Sequence, residues 1–345
     1  MGQPPIDMKK NFFQQIKLPQ QKSLINGVVF PIVLSPNHHS AHLIHFIEAI
    51  KSHKEWLDDL LKNTGAILFR GFPVNSPSDF NDVIEATGFP GMEDIGGGAP
   101  REQVFGRVYT ANESPPDQHI AFHHELANVD NFPSKVVLFC EVEPKEGGET
   151  PIVLSHIVYE RMKETHPTFV ALLEEHGLLY TRFISGDDDP TLPGGRGWRS
   201  TFFTNDKIIA EQRAEKVGMK LEWIDDDLDL VKITIGPKLA FRVDNARQSK
   251  TWFNSMVVNH THAGSRPCKR DNTIIQFEPV TFGNGASLPD NVVYDCIKIL
   301  EEECVAIPWK KGDILLLDNL AVMHGRRSIV NSEAHTRRIL ASICK

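Results

Sequence analysis

Cysteine is scarce in this chain of 345 residues: there are five, an odd number, and none form a CxxC pair. That pattern argues against a zinc knuckle and a disulfide framework, so Cys140, Cys268, Cys296, Cys304 and Cys344 are expected to be reduced thiols, several of them core fillers. The chain also lacks a leader-like or membrane-spanning apolar run: the opening MGQPPIDMKKNFFQQIKLPQ has no continuous apolar stretch after its lysines. Lipid signals are missing too, since Ile6 stands where a myristoylation signal wants Ser or Thr, and the ending SICK is neither a prenylation box nor a peroxisomal tripeptide. A soluble protein with no membrane partner is expected, with the cytoplasm as default location. Finally, there is no basic surplus: 37 Lys and Arg against 45 Asp and Glu give a net charge of -8, and the basic residues are scattered. Without an electrostatic footprint for phosphate backbones, nucleic acid is not an expected partner.

What is present is enough apolar sequence, 41%, for a large core, and the expectation is a single domain over residues 1–345. An N-terminal α/β layer is expected over about residues 1–100. Residues 41–63 place Leu43, Ile44, Phe46, Ile47, Ile50, Trp56, Leu57, Leu60 and Leu61 at helical spacing, with Asn63-Thr64-Gly65 able to end the helix; Ala66–Phe72 reads as a buried strand, and a second helix follows from Ser78 to about Ala86. From about residue 103 short β-rich runs take over: Val104 to Thr110, Lys135 to Val142, Pro151 to Leu154, Asn272 to Pro279 and Ile314 to Leu317. Between them, Val158 to His176 and Thr204 to Val217 read as helices, and the acidic Glu222 to Leu230 as a turn-like solvated face. A mainly β fold with flanking helices follows: a double-sheet jelly roll carrying a helical and loop insertion over about residues 155–270.

Chemistry concentrates at two places. In Ile120-Ala121-Phe122-His123-His124-Glu125-Leu126, an extended chain sends His123 and Glu125 to one face and His124 to the other. An imidazole and a carboxylate on one face can chelate a metal, but two ligands are too few and the tripeptide alone is weak evidence. The second place runs from Lys311 to Arg326, where a turn feeds a buried strand, Asp318-Asn319 reverses the chain, and His324 emerges beside Gly325. Arg338 follows His324 by 14 positions on another strand-like stretch, and a guanidinium facing inward there needs an anion, a carboxylate being the natural two-pronged partner.

These motifs, taken in order, resemble the clavaminate synthase-like and taurine dioxygenase-like branch of the 2-oxoglutarate-dependent oxygenases. The likeness rests on Gly65–Phe72, Val108-Tyr109-Thr110, Pro115-Pro116, His123-x-Glu125, Gly147-Gly148-Glu149-Thr150, Gly312-Asp313, Asp318-Asn319, His324-Gly325-Arg326 and Arg337-Arg338. It implies a double-stranded β-helix, Fe(II) held by His123, Glu125 and His324, and 2-oxoglutarate as co-substrate. Arg338 would grip the far carboxylate of 2-oxoglutarate with help from the Thr150 hydroxyl, and Arg337 would face the other way. The implied reaction consumes oxygen and 2-oxoglutarate, releases succinate and carbon dioxide, and oxidises a small molecule. With Glu125 filling the position that halogenating relatives leave to a halide, hydroxylation-type chemistry is favoured over halogenation, and desaturation and ring formation stand beside hydroxylation as its outcomes.

Plainer readings accompany several residues. Thr150 alone could cap a backbone group at a strand start. His260 and His262 sit two apart without a carboxylate, which suits a loop or pocket wall better than a metal site. Arg242, Trp198 and Trp252 could orient a small polar substrate, though core packing explains the tryptophans equally. Two rival functions stand beside the oxygenase: a zinc-dependent hydrolase, which leaves Arg338 and Thr150 unexplained, and a non-catalytic jelly-roll binding protein.

Overall fold

The structure is a computed structural model and describes residues 12–24, 27–37, 42–92, 101–111, 115–189, 196–225, 229–262, 268–270, 273–275, 279–329 and 337–345. Its frame is an eight-stranded sheet in the order Phe13–Gln15, Ile32–Pro36, Ala66–Phe69, Ile314–Asp318, Lys135–Val142, Arg338–Cys344, Val108–Thr110 and Gln103–Phe105. Every neighbouring pair is antiparallel except Ile32–Pro36 with Ala66–Phe69. The central strands are buried on both faces, which is why they read as unbroken apolar runs. Leu68, Leu138, Leu315, Ile339 and Ala341 point into one core cluster, while Ile67, Phe69, Val137, Phe139, Ile314, Leu316 and Leu340 point into a second.

The second cluster lies under the N-terminal helices. The span 41–63, read as one helix, is two: Leu43–Ser52 and Lys54–Thr64, broken at His53, whose φ of -111° and ψ of 20° leave the helical region. The third helix, Pro77–Thr87, begins where expected because the Ser76 side chain accepts from the Asp79 amide at 3.1 Å and Pro77 presets the first turn. Helix Lys54–Thr64 closes on Gly65 at φ 84°, and a Cβ there would come within 2.8 Å of Val322 Cγ2. Glycine thus lets the helix end press against the strand that carries His324.

The first cluster is shared with a three-stranded sheet, Ile152–Leu154, Val322–Arg326 and Ile120–His123, and the two sheets make the jelly-roll-type sandwich. The region 155–270 departs from expectation. It contains helices, Ser155–Thr165 and Pro167–His176 split at the proline, and Lys207–Lys216, but also an antiparallel sheet of Met219–Asp225, Leu230–Lys238, Leu178–Ile184 and Val280–Phe282. The acidic run read as a turn-like face therefore lies largely in and between two paired strands. Met219, Lys220, Leu221, Glu222 and Trp223 alternate in polarity, the mark of a half-buried edge strand. The run Asn272 to Pro279 is described only over Thr273–Ile275, a short strand, and at Pro279; the rest lies outside the described residues. No helix among the described residues is long and apolar enough to cross a membrane.

Candidate metal centre

Strand pairing assembles the centre. His324 lies directly opposite His123 in the antiparallel pair Val322–Arg326 with Ile120–His123, so both imidazoles leave the same face, their ring centroids 4.5 Å apart. Glu125 follows on the loop, with Oε2 3.7 Å from His324 Nε2 and 4.0 Å from His123 Nε2. One ligand atom from each of the three lies within 4.8 Å of the others, the only such group of three or more His, Cys, Asp or Glu among the described residues. The His123 Nδ1 meets the Ala121 carbonyl at 2.9 Å. That bond fixes the tautomer that turns a lone pair on Nε2 toward the carboxylate. Two imidazoles and one carboxylate, converging and mostly buried, fit Fe(II), and their grouping on one side leaves room for exchangeable ligands.

The Glu125 carboxylate is closely held. Burial alone would raise its pKa, but Arg101, whose Nη2 is 2.8 Å from Oε1, and the two histidines hold it well below the usual carboxylate range. Its backbone is held as well. Asn319, fully buried, accepts from the Glu125 amide at 2.8 Å and donates to the Glu125 carbonyl at 2.9 Å and the Pro133 carbonyl at 2.8 Å. Leu126 next door sits at φ 53°, a left-handed conformation that such bonds sustain. His124 points away from the cluster into the core, its Nδ1 on the Asn319 carbonyl and its ring 4.6 Å from that of Phe253; burial pushes its pKa down to about 3, so it is a neutral packing residue.

Of the expected co-substrate residues, Thr150 is buried and accepts from Trp309 Nε1 at 3.2 Å, which leaves its hydroxyl proton to donate elsewhere. Arg338 is placed otherwise than expected: its side chain is about half exposed (48%) and pairs with Glu141 on the outer side. Arg337 faces in. Its Nε donates to the Gly148 carbonyl at 2.7 Å, and burial together with Arg326 lowers its pKa to about 9. Gly148, at φ 66°, allows this approach, since a Cβ would stand 2.8 Å from Arg337 Cδ. The reason is register. Ile339, Ala341 and Ile343 face the inner core, so Arg337 shares their side, while Arg338 falls at a bulge opposite Val142.

The remaining candidates lie elsewhere. His260 is in helix Met256–His262 and sits 3.4 Å from Asp290, and the His262 side chain lies outside the described residues. Trp198 and Trp252 are core residues, 1% and 0% exposed. Arg242 lies over the rings of Phe132 and Phe253. Sequence reasoning missed Arg101 and Trp309, and it named Asn319 without giving it a role. Asn319 carried a signal, the Asp-Asn corner, whereas Arg101 stands in no motif.

A family model described as taurine catabolism dioxygenase TauD, TfdA family matches residues 39–343. The chain is 55% identical over 333 residues to a clavaminate synthase-like protein of Arabidopsis thaliana, spanning 95% of this chain and 97% of that one. It is 27% identical over 284 residues to the dapdiamide synthesis protein DdaC of Enterobacter agglomerans, spanning 81% and 82%. Among solved structures, the PvcB protein from Pseudomonas aeruginosa shares the fold with a TM-score of 0.54 at 13% identity, over 99% of this chain and 95% of that one.

Proposed function

Because the chain belongs to the taurine catabolism dioxygenase TauD, TfdA family, whose kind is the Fe(II)- and 2-oxoglutarate-dependent oxygenase, we propose that it hydroxylates a small molecule at a metal held by His123, Glu125 and His324. The observation that carries the reading is the convergence of these three side chains from two paired strands and the loop after one of them. Bound iron would supply the oxidising step, with 2-oxoglutarate consumed to succinate and carbon dioxide.

The chain's own residues bind and orient. Arg337, inward and lacking a described carboxylate partner within ion-pair distance, takes the role first expected of Arg338: its guanidinium holds the far carboxylate of 2-oxoglutarate beside the Thr150 hydroxyl. Trp309 occupies one acceptor site of Thr150, so the hydroxyl proton is directed toward that carboxylate. The apolar residues around the histidines, Ile152 opposite His324 among them, keep water from the reacting carbon.

The test is a screen of metabolite pools with anaerobically Fe(II)-loaded protein and 2-oxoglutarate, measuring succinate after oxygen is admitted. A pool containing the substrate should raise succinate release above the uncoupled background, and Glu125→Ala should abolish it. Hydrolysis with bound zinc and no oxygen-dependent succinate would instead favour a zinc hydrolase.

A further inference from the structure

We propose that Arg101 is a positioning residue that reserves one oxygen of Glu125, so that this carboxylate presents only its other oxygen to the metal. The inference rests on the reading of His123, Glu125 and His324 as the metal ligands. The two oxygens are already divided: Oε1 is 2.8 Å from Arg101 Nη2, and Oε2 faces the Nε2 atoms of His324 and His123 at 3.7 and 4.0 Å. Both side chains of the ion pair are 11% exposed, so solvent does little to loosen it.

Such a device is needed because glutamate is the longer and more pliant of the two carboxylate side chains. The Asn319 clamp fixes the Glu125 main chain but leaves its side-chain torsions free. An unrestrained carboxylate can bind a cation through one oxygen or both. Taking both would fill a position that the co-substrate or oxygen requires. A guanidinium holding Oε1 prevents that rotation, and it also balances the charge of the buried carboxylate. Arg101 acts through Glu125 and needs no contact with substrate.

The experiment uses Mn(II) alone, titrated into the full-length protein and followed by water-proton relaxation, which reports exchangeable waters on the bound ion. Wild type should take one Mn(II) per chain. Arg101→Met should still take one, but with relaxation per bound ion lower by roughly a third, because one of about three open positions is now filled by Oε1. Arg101→Lys, which keeps the charge and a donor, should recover most of the loss, and it serves as the readout if Arg101→Met does not fold, with Arg101→Gln as the neutral partner. Equal relaxation per bound ion in wild type, Arg101→Met and Arg101→Gln would overturn the assignment. Failure of wild type to bind Mn(II) would overturn the metal centre itself, a distinct result.

Discussion

At the scale of single residues, the adjacent arginines at the start of the last strand should behave oppositely when removed. Truncating one member of a buried, hydrogen-bonded charge pair costs about 2 to 5 kcal/mol, mostly because the other charge is stranded. Arg337→Ala should therefore weaken 2-oxoglutarate binding by roughly thirty-fold to a few thousand-fold. Arg337→Lys should recover only part, since an ammonium lacks the two-pronged geometry. Arg338→Ala removes a half-exposed pair with Glu141 and should cost at most about 1 kcal/mol of stability with co-substrate affinity unchanged. An anaerobic titration of the Fe(II) protein, read from the visible charge-transfer band, checks both; a large loss in Arg338→Ala with none in Arg337→Ala would return the role to Arg338. The sequence could not decide between them. Ile339 to Cys344 is buried on both faces and apolar but for Ser342, so little alternation marks which side is inward, and the pairing with Lys135–Val142 shifts register between Arg338 and Ile339. Asn319 yields a second prediction. Asn319→Asp keeps the shape but replaces the donor that serves the Glu125 and Pro133 carbonyls, leaving two buried acceptors unpaired at about 1 to 3 kcal/mol each. Urea unfolding should show a loss of roughly 2 to 6 kcal/mol, and metal affinity should fall at temperatures where the variant is still folded.

At the scale of elements, the eight-stranded sheet and the helix packed beside it are tied to the inserted region through one guanidinium. Arg247 pairs with Asp244 in the hairpin Arg242–Asp244 and Ser249–Thr251, with Asp318 at 3.1 Å at the end of strand Ile314–Asp318, and with the Leu61 carbonyl at 3.1 Å. Arg247→Met leaves two carboxylates buried without a cation, and about 3 to 5 kcal/mol should be lost at neutral pH. The loss should depend on pH with a definite sign. Burial already raises the Asp318 pKa above its ordinary value, and Arg247 is what opposes it. A carboxyl whose folded pKa is raised favours the folded state at low pH and loses that contribution as pH rises through the folded value. Removing Arg247 raises that pKa further, so the gap between wild type and Arg247→Met should narrow as pH falls toward the carboxyl range; a gap that widens on acidification would show that the pair does not behave as described. The elements themselves were unevenly legible. Strands buried on both faces, such as Lys135–Val142 and Ile314–Asp318, announce themselves by apolar β-branched runs. The sheet in the insertion was hidden because Glu222, Asp225 and their acidic neighbours outweigh the alternation that Leu221 and Trp223 carry, and the break at His53 has neither proline nor glycine to mark it.

At the scale of the whole molecule, the proposed ligands come from segments about 200 residues apart in sequence that meet only when strands Ile120–His123 and Val322–Arg326 pair within one sheet, so metal occupancy and global folding should be linked. A ligand bound only by the folded state stabilises by about 2.7 kcal/mol at a free concentration 100 times its Kd. With an unfolding entropy of about 2.1 cal/mol/K per residue, the 345 residues should turn that into a rise in Tm of about 4 °C. Anaerobic Fe(II), or Mn(II), should give this rise in wild type, and His324→Ala should give none, since removing one of three ligands leaves a pair too weak to compete with water. 2-Oxoglutarate should add its own rise only when metal is present, because its proposed site is half protein, at Arg337 and Thr150, and half metal. The variants then separate the halves: Arg337→Ala should keep the metal-dependent rise and lose the co-substrate increment, while Glu125→Ala should lose both. Thermal scans with metal alone, co-substrate alone and the two together check the order directly. A full co-substrate increment in the metal-free protein would mean that 2-oxoglutarate is held by protein groups only, away from His123, Glu125 and His324.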